Sequence, residues 1–217
     1  MLPNMRAGCS IADMATLPED ESAWTTLLEQ AGLDAPIDRD DPIHVAAMGE
    51  KFLVPVTYMN SSADLKDFVG RHGGIVCTSS NAQGVLNWAF ERAGKDGAVL
   101  FFPDQHLGRN TGNAMGISLD LMPTWTPGIG AMGELKGSRI ILWHGFCSVH
   151  KRFTPDQIVD FRSRHPEGIV VVHPECPIET VEASDANGST QYIRNFVGQQ
   201  ASGSSIAIGT EINMVAR

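Results

Sequence analysis

The chain has 217 residues, of which 42% are hydrophobic and 19% are charged, and its formal net charge is −9. These values are those of a folded globular protein with a sizeable core, and they exclude wholesale disorder. An acidic chain with no run of basic residues longer than two is a poor partner for nucleic acid or for an anionic membrane surface, although it can still bind a small anion.

Short apolar runs alternate with helical patterns through most of the chain. The predicted strands are 52–58, 74–77, 98–102, 139–143, 168–172 and 204–208. The capping box Ser61-x-x-Asp64 predicts a helix after the first strand, and Asn81 is placed to cap a second helix. Further helices are predicted over 155–163 and 192–199.

This order of strands and helices predicts an α/β fold. The strands are continuous apolar runs, which are typical of parallel sheets covered by helices on both faces. We therefore expect parallel-sheet, three-layer αβα domains with a domain boundary near residue 145. Two stretches rich in Gly, Pro, Met and Asp, 33–51 and 112–138, interrupt the pattern. We expect both to be insertions or partner-facing excursions.

Polar residues follow each predicted strand. The turns concerned are 58–62, 77–81, 103–110, 144–150, 173–176 and 209–211. Ligands bind at the carboxyl ends of parallel strands, and the N–H groups of the following helix N-termini favour anions. Each turn alone can be explained as a helix cap. Six such turns on the same side of the sheets predict a site for a small polyanion.

The four cysteines can be reduced thiols that are available to a metal, because the sequence indicates a reducing compartment. No stretch of roughly 20 apolar residues marks a membrane span, and the N-terminus lacks a signal-peptide pattern. We therefore expect a cytoplasmic protein with reduced thiols. Cys77 ends an apolar strand and Cys176 follows a carboxylate, whereas Cys9 and Cys147 occupy turns. The pattern Cys147-x-x-His150 is only a weak indication of zinc.

His173 and Glu175 flank a proline at the end of a predicted buried strand. The proline breaks the strand and turns both side chains into the cleft. One interpretation is a structural pair that supports other site residues. The other is a general acid/base pair, because histidine titrates near neutrality and burial in a dry cleft raises the pKa of a glutamate.

Eight motifs follow one another at the predicted strand ends. They are A-G-C-S-x-A-D-M at 7–14, Y-x-N-S-S-A at 58–63, C-T-S-S-N-A at 77–82, P-D-Q-H-L-G-R-N at 103–110, G-F-C-S-V-H at 145–150, H-P-E-C at 173–176, G-S-T at 188–190 and G-T-E at 209–211. In sequence and order they resemble the quinolinate synthase family over nearly the whole chain. The run at 103–110 is the most specific of them, whereas G-S-T or G-T-E alone would mean little.

The resemblance implies a transferase of NAD biosynthesis that condenses iminoaspartate with dihydroxyacetone phosphate to quinolinate, phosphate and water. It implies three related α/β domains around a pseudo-threefold axis, each giving one cysteine to a [4Fe–4S] cluster. One iron then lacks a protein ligand and acts as a Lewis acid. Functional coupling to L-aspartate oxidase is implied as well, and no nucleic acid or membrane partner is expected.

Motif position implies a role for individual residues. Substrate binding is implied for Tyr58, Asn60, Ser79, His173, Glu175 and Thr190. Of these, Tyr58, His173 and Glu175 are implied to be catalytic, with Tyr58 a candidate for proton transfer. Cys9 and Cys147 are implied to be cluster ligands, and Cys77 and Cys176 are not. The segment 104–109 is implied to build and rigidify the site.

Two departures from the family pattern concern completeness. The first domain has no counterpart before Met1, and the third cluster cysteine does not appear before Arg217. We expect 1–145 to be the second domain of the family and 146–217 a truncated third. A chain with two of three ligands is expected to bind a cluster poorly and to be inactive alone, either as a fragment or as a naturally shortened relative.

Two alternatives from other classes stay open. One is a non-catalytic protein that binds small polyanions and has lost the cluster. The other is a hydrolase or lyase that depends on a single metal ion. The second alternative predicts converging ligands with an open position, drawn from His144, His150, His173 and Glu175.

Overall fold

The computed structural model describes residues 21–35, 51–126 and 128–215. The helices are α1 (Glu21–Ala31), α2 (Ala63–Arg71), α3 (Ala82–Ala93), α4 (Gln105–Ala114), α5 (Pro155–Arg164), α6 (Ile178–Ala183), α7 (Thr190–Gly198) and α8 (Ile212–Val215). The strands are β1 (Leu53–Tyr58), β2 (Ile75–Cys77), β3 (Ala98–Phe102), β4 (Thr124–Thr126), β5 (Gly130–Met132), β6 (Ile140–Trp143), β7 (Ile169–Val172), β8 (Ala186–Asn187) and β9 (Ile206–Gly209). Short 3-10 helices cover Leu119–Leu121 and His150–Arg152.

Within the described residues the strands form two sheets. The larger has the order β2-β1-β3-β6-β4-β5 and the smaller the order β8-β7-β9. The pairings are parallel except for β4 with β5, which is antiparallel. The α/β fold class predicted from the apolar runs is therefore confirmed. Parallel alignment also brings the carboxyl ends of the strands in each sheet to one edge.

Helices cover both faces of the larger sheet. Alternate residues of β3 point to opposite sides, so that Phe101 packs in a cluster with Leu86 of α3 and Phe102 in a cluster with Leu65 of α2. Leu27 of α1 joins the second cluster and is fully buried. Burial of one such side chain contributes roughly 1.5–3 kcal/mol, and the two clusters explain why the strands are apolar on both faces.

The two helix starts predicted after β1 and β2 differ in detail from those observed. Ser62, rather than Ser61, caps α2 and accepts a hydrogen bond from the backbone N–H of Leu65. Ser61 instead donates to the carbonyl oxygen of Tyr58, 2.8 Å away. Asn81 precedes α3 as predicted, but its side chain accepts from the backbone N–H of Thr78 and makes no cap bond.

The stretch 112–138 is not an excursion from the sheet. It contains β4 and β5, and β4 pairs in parallel with β6 through Thr124 opposite Leu142. Its apolar residues Met122 and Trp125 are buried in the two core clusters. Most of the other interrupting stretch, 36–50, lies outside the described residues. Among the helices that the structure describes, none has the length and apolarity needed to cross a membrane.

Candidate functional site

Strand ends from both sheets meet at one place. β1 ends at Tyr58, and the turn after β6 carries Cys147. In the smaller sheet, Glu175 follows β7 and Thr210 follows β9. Tyr58 is hydrogen-bonded to Glu175, and the ligand atoms of Cys147, His150 and Glu175 lie within 4.8 Å of one another. The candidate site therefore lies between the two sheets.

Glu175 is the centre of this group. Its side chain is 2% exposed, and its Oε2 lies 3.1 Å from Nδ1 of His150. Nδ1 of His173 lies 3.7 Å from Oε1, beyond a good hydrogen bond. The rings of His150 and His173 stack with their centroids 4.6 Å apart. The imidazole that pairs directly with the carboxylate is therefore that of His150.

The pairing sets the charge of both groups. Burial alone lowers the pKa of His150, but hydrogen bonds to Cys147 and Glu175 outweigh it and raise this pKa to about 9. Burial alone raises the pKa of Glu175, but the hydrogen bond from His150 and the positive charge of that ring hold it below its usual range. The raised glutamate pKa expected from a dry cleft is therefore wrong, because a charged imidazole shares the cleft.

His173 is neutral near pH 7. Burial lowers its pKa to about 4, and the positive charge of His150 adds to this effect. Its Nδ1 accepts a hydrogen bond from the backbone N–H of Glu175 at 3.3 Å. In the neutral ring the proton therefore resides on Nε2, which leaves one N–H to donate.

Polar residues from several strand ends contact Tyr58. Its side chain is buried, and its phenolic oxygen accepts a hydrogen bond from Nδ2 of Asn60 at 3.1 Å. It is also hydrogen-bonded to Ser79 and Glu175. Burial, together with the negative charge of Glu175, raises the pKa of Tyr58 and keeps the phenol protonated. The structure thus brings together Tyr58, Asn60, Ser79 and Glu175.

Thr190 occupies a different position from these residues. It is the first residue of α7 and is exposed. It lines an open groove together with Arg194, Ile208 and Glu211. The neighbouring Ser189, rather than Thr190, caps the helix by accepting from the N–H of Tyr192. The hydroxyl of Thr190 therefore lies at the start of the helix and outside the hydrogen-bonded group around Glu175.

Asp104 connects the helix α4 to the turn that carries Cys147. Its Oδ1 accepts from the N–H of Leu107 at 2.8 Å and caps α4, and its Oδ2 accepts from the N–H of Cys147 at 2.9 Å. The side chain is fully buried. Burial and the negative charge of Glu175 raise its pKa well above the usual range, against the effect of the two N–H donors. One buried aspartate side chain thus fixes the backbone of the cysteine.

Asn110 ties α4 to the turn after β7. Its Nδ2 donates to the carbonyl oxygens of Pro174 and Cys176, both at 2.8 Å. These two carbonyls flank Glu175 in the chain, so the asparagine holds the turn that presents the carboxylate. Of the segment 104–109, which was expected to build the site, Asp104 bonds to the backbone of Cys147, and Asn110 follows directly after the segment.

The cysteines differ in their relation to this group. Cys77 and Cys176 are buried, and burial raises the pKa of each thiol to about 12, which is typical of inert structural thiols. Cys147 is 6% exposed and lies beside His150 and Glu175. Cys9 lies outside the described residues. A buried thiol at a strand end, beside a carboxylate and an imidazole, fits the role of one corner ligand of an iron–sulfur cluster.

The described residues also define one group that can hold a metal ion, formed by Cys147, His150 and Glu175. Of the ligands suggested for a mononuclear hydrolase, His150 and Glu175 belong to it. His144 is exposed, and His173 is not part of the group although its Nδ1 lies 3.7 Å from Oε1 of Glu175. The hydrolase ligand set is therefore wrong in these two residues, because the turn after β6 directs a thiol rather than a second imidazole to Glu175.

Three residues of the site had little signal in the sequence. His150 stands in a weak zinc pattern and among the candidate ligands of the single-metal alternative, and the 3-10 turn His150–Arg152 places it against Glu175 and within 3.2 Å of Thr210. Thr210 stands in a three-residue motif that means little alone. The bonds of Asn110 join positions 64 and 66 residues away, a distance that local patterns do not encode.

Fold and site together define an α/β protein with a buried tyrosine, carboxylate and histidine group beside a thiol at its strand ends. The family model described as quinolinate synthetase A protein matches residues 1–217. The chain therefore belongs to the quinolinate synthase family.

Several relatives carry the same name. Proteins named quinolinate synthase are 52% identical in Corynebacterium glutamicum, 46% in Rhodopirellula baltica and 44% in Bacillus subtilis, each over the whole of this chain. The matched region makes up 51%, 52% and 54% of those proteins. The chain thus spans about half the length of the relatives that it matches.

Proposed function

We propose that this chain carries a substrate- and cluster-binding site of a quinolinate synthase in NAD biosynthesis. The reaction is the condensation of iminoaspartate with dihydroxyacetone phosphate to quinolinate, phosphate and water, with functional coupling to L-aspartate oxidase. The observation that carries the proposal is the convergence of Tyr58, Glu175 and His173 beside Cys147, at strand ends of two sheets.

The cofactor of this proposal is a [4Fe–4S] cluster held in part by Cys9 and Cys147. When bound, the cluster supplies a Lewis acid at the iron that lacks a protein ligand. The support from this chain is the buried thiol of Cys147, whose backbone is fixed by Asp104. Such fixing limits the cost of ordering a ligand when the group binds.

Proton transfer is assigned to the chain's own residues. Tyr58 holds a proton on its phenolic oxygen, hydrogen-bonded to the ionised carboxylate of Glu175. Glu175 is placed to accept a proton from substrate, and His150 stabilises its charge. His173 is neutral and donates through Nε2, which suits a group that orients or protonates a substrate oxygen.

Substrate oxygens are assigned to the polar turns. Asn60 and Ser79 are hydrogen-bonded to Tyr58 and can orient a carboxylate beside it. Thr190, at the first turn of α7, is assigned to a carboxylate or phosphate oxygen because N–H groups there favour anions. We also propose a domain boundary near residue 145, with 1–145 and 146–217 as two of the three pseudo-threefold-related domains of the family.

The proposal is tested by replacing the matching half of the Corynebacterium glutamicum relative with this chain and loading the protein with iron and sulfide under anaerobic conditions. Quinolinate formation from dihydroxyacetone phosphate and enzymatically generated iminoaspartate is measured by chromatography. We expect activity, and an approximately hundredfold lower kcat in Glu175→Gln because a general base is lost. The exposed Glu91→Gln is the matched control. A folded, cluster-loaded protein without activity, or one indifferent to Glu175→Gln, would contradict the proposal.

A further inference from the structure

We propose that Cys147, His150 and Glu175 form a site for a single divalent cation of the zinc type, and that a cation bound there excludes the cluster from Cys147. The three side chains are buried, and their ligand atoms lie within 4.8 Å of one another. A thiol, an imidazole and a carboxylate are the three side-chain types that bind zinc. The site is distinct from a cluster site, which uses thiolates.

The distances suit one small cation. Zinc binds sulfur at about 2.3 Å and nitrogen or oxygen at about 2.0–2.2 Å, so that its ligand atoms in a tetrahedral site lie roughly 3.3–3.6 Å apart. Nδ1 of His150 and Oε2 of Glu175 are already 3.1 Å apart. Only side-chain adjustments of the order of 1 Å are then needed to bring the sulfur of Cys147 to bonding distance.

A further hydrogen bond orients the imidazole. Nε2 of His150 lies 3.2 Å from Oγ1 of Thr210, which is itself buried. With a cation on Nδ1, the ring proton resides on Nε2 and Thr210 accepts it. Metal-binding histidines commonly donate their other N–H in this way, which sets the tautomer and the ring orientation. Thr210 therefore acts as a positioning residue for the cation site.

Charge favours a dication at this place. Glu175 is 2% exposed, and its carboxylate lies close to Cys147. The imidazole that pairs directly with this carboxylate is that of His150, 3.1 Å away. A divalent cation offsets buried negative charge more fully than a single imidazolium. Thiolate and imidazole ligands select zinc over magnesium or calcium.

Three protein ligands leave a fourth position for water or another small ligand. The sulfur of Cys147 cannot be a terminal ligand of this cation and of a cluster at the same time. Zinc is therefore expected to block cluster loading. This exclusion rests on the proposed function, whereas cation binding itself does not.

The test uses the metal-free chain under anaerobic conditions, with Co²⁺ as a spectroscopic substitute for zinc. We expect saturable binding of one Co²⁺ with a sulfur-to-metal charge-transfer band, and displacement by one equivalent of Zn²⁺. The band should disappear in Cys147→Ser and persist in the matched control Cys77→Ser. Thr210→Val keeps all three ligands and is expected to weaken binding by about 10–100-fold. Circular dichroism verifies that each variant is folded.

Three results would contradict the proposed cation site. These are no saturable Co²⁺ binding, a charge-transfer band that survives Cys147→Ser, or affinity unchanged in both His150→Gln and Glu175→Gln. A separate arm uses the protein in which this chain replaces the matching half of the Corynebacterium glutamicum relative, and adds iron and sulfide to it with and without bound Zn²⁺. Full cluster assembly with zinc still bound would contradict the exclusion. Failure of assembly in the zinc-free protein instead counts against the proposed function and leaves the cation site standing.

Discussion

Asp104 and Asn110 show how single side chains position the site without touching substrate. Each uses both of its equivalent polar groups, two oxygens in Asp104 and two hydrogens on one nitrogen in Asn110. Only a carboxylate offers two acceptors at the position of Asp104, since an amide replaces one oxygen by a donor. The local constraint on Cys147 therefore depends on the chemical identity of residue 104.

Asp104→Asn is expected to destabilise the protein by about 1–3 kcal/mol, because a buried backbone N–H then faces an NH₂ group. Ser62→Ala removes a cap bond in α2 without touching Cys147 and serves as the control, with a cost of about 1 kcal/mol. Urea denaturation measures both. An unchanged free energy of unfolding in Asp104→Asn, beside the expected loss in Ser62→Ala, would show that the bond to Cys147 contributes nothing.

At the scale of elements, α4 combines the positioning side chains with close packing on the sheet. Gly108 faces β3 and β6, and a methyl group there would lie 2.6 Å from Cδ2 of Leu142 and 2.8 Å from Cδ1 of Phe101. The absence of a side chain lets α4 approach the strands whose ends carry the site. The specific run at 103–110 thus encodes a helix start, a close approach and an inter-sheet bond.

Gly108→Ala is expected to destabilise the protein by about 1–3 kcal/mol through overpacking. Gly84→Ala, in the exposed part of α3, is the matched control because nothing lies within 4 Å of the added methyl group. There the higher helix propensity of alanine is expected to stabilise by about 0.5–1 kcal/mol. Thermal unfolding of both variants gives the comparison, and the same sign of change in both would refute the packing argument.

At the scale of the whole molecule, the two sheets are joined through the site. Tyr58 of the larger sheet is hydrogen-bonded to Glu175, which follows a strand of the smaller one. Asn110 adds two buried bonds across the same junction. The four tryptophans, Trp24, Trp88, Trp125 and Trp143, all belong to elements of the larger sheet and its helices. Tryptophan fluorescence therefore reports on the larger sheet and its helices alone.

Asn110→Asp places a carboxylate against two carbonyl oxygens and is expected to loosen the smaller sheet by about 1–3 kcal/mol. Asn87→Asp, exposed on α3, adds the same charge as a control. In urea, circular dichroism should then change before tryptophan fluorescence in Asn110→Asp, and the two signals should stay together in the control. If circular dichroism and tryptophan fluorescence changed at the same urea concentration in Asn110→Asp, the bonds of Asn110 would not be what holds the smaller sheet to the larger one.

Much of the fold was predictable because its signals are local. Continuous apolar runs such as 98–102 mark strands buried on both faces, and the observed strand β3 has those bounds. Thr154 and Pro155 mark the start of α5, which begins where the pattern predicted. The helix α1 was missed although Trp24, Leu27 and Ala31 repeat at helical spacing. The polar strand ends also predicted which turns would meet.

The sequence by itself determined the α/β class, the strand ends that carry polar residues, and the family. Only the tertiary structure decided the partners within the site: His150 rather than His173 pairs with Glu175, and Asp104 binds the backbone of Cys147. It also placed Thr190 apart from that group. The physical reason is that periodicity and capping depend on neighbours in the chain. The charge state of a buried carboxylate depends on which side chains the packing of two sheets brings within about 4 Å.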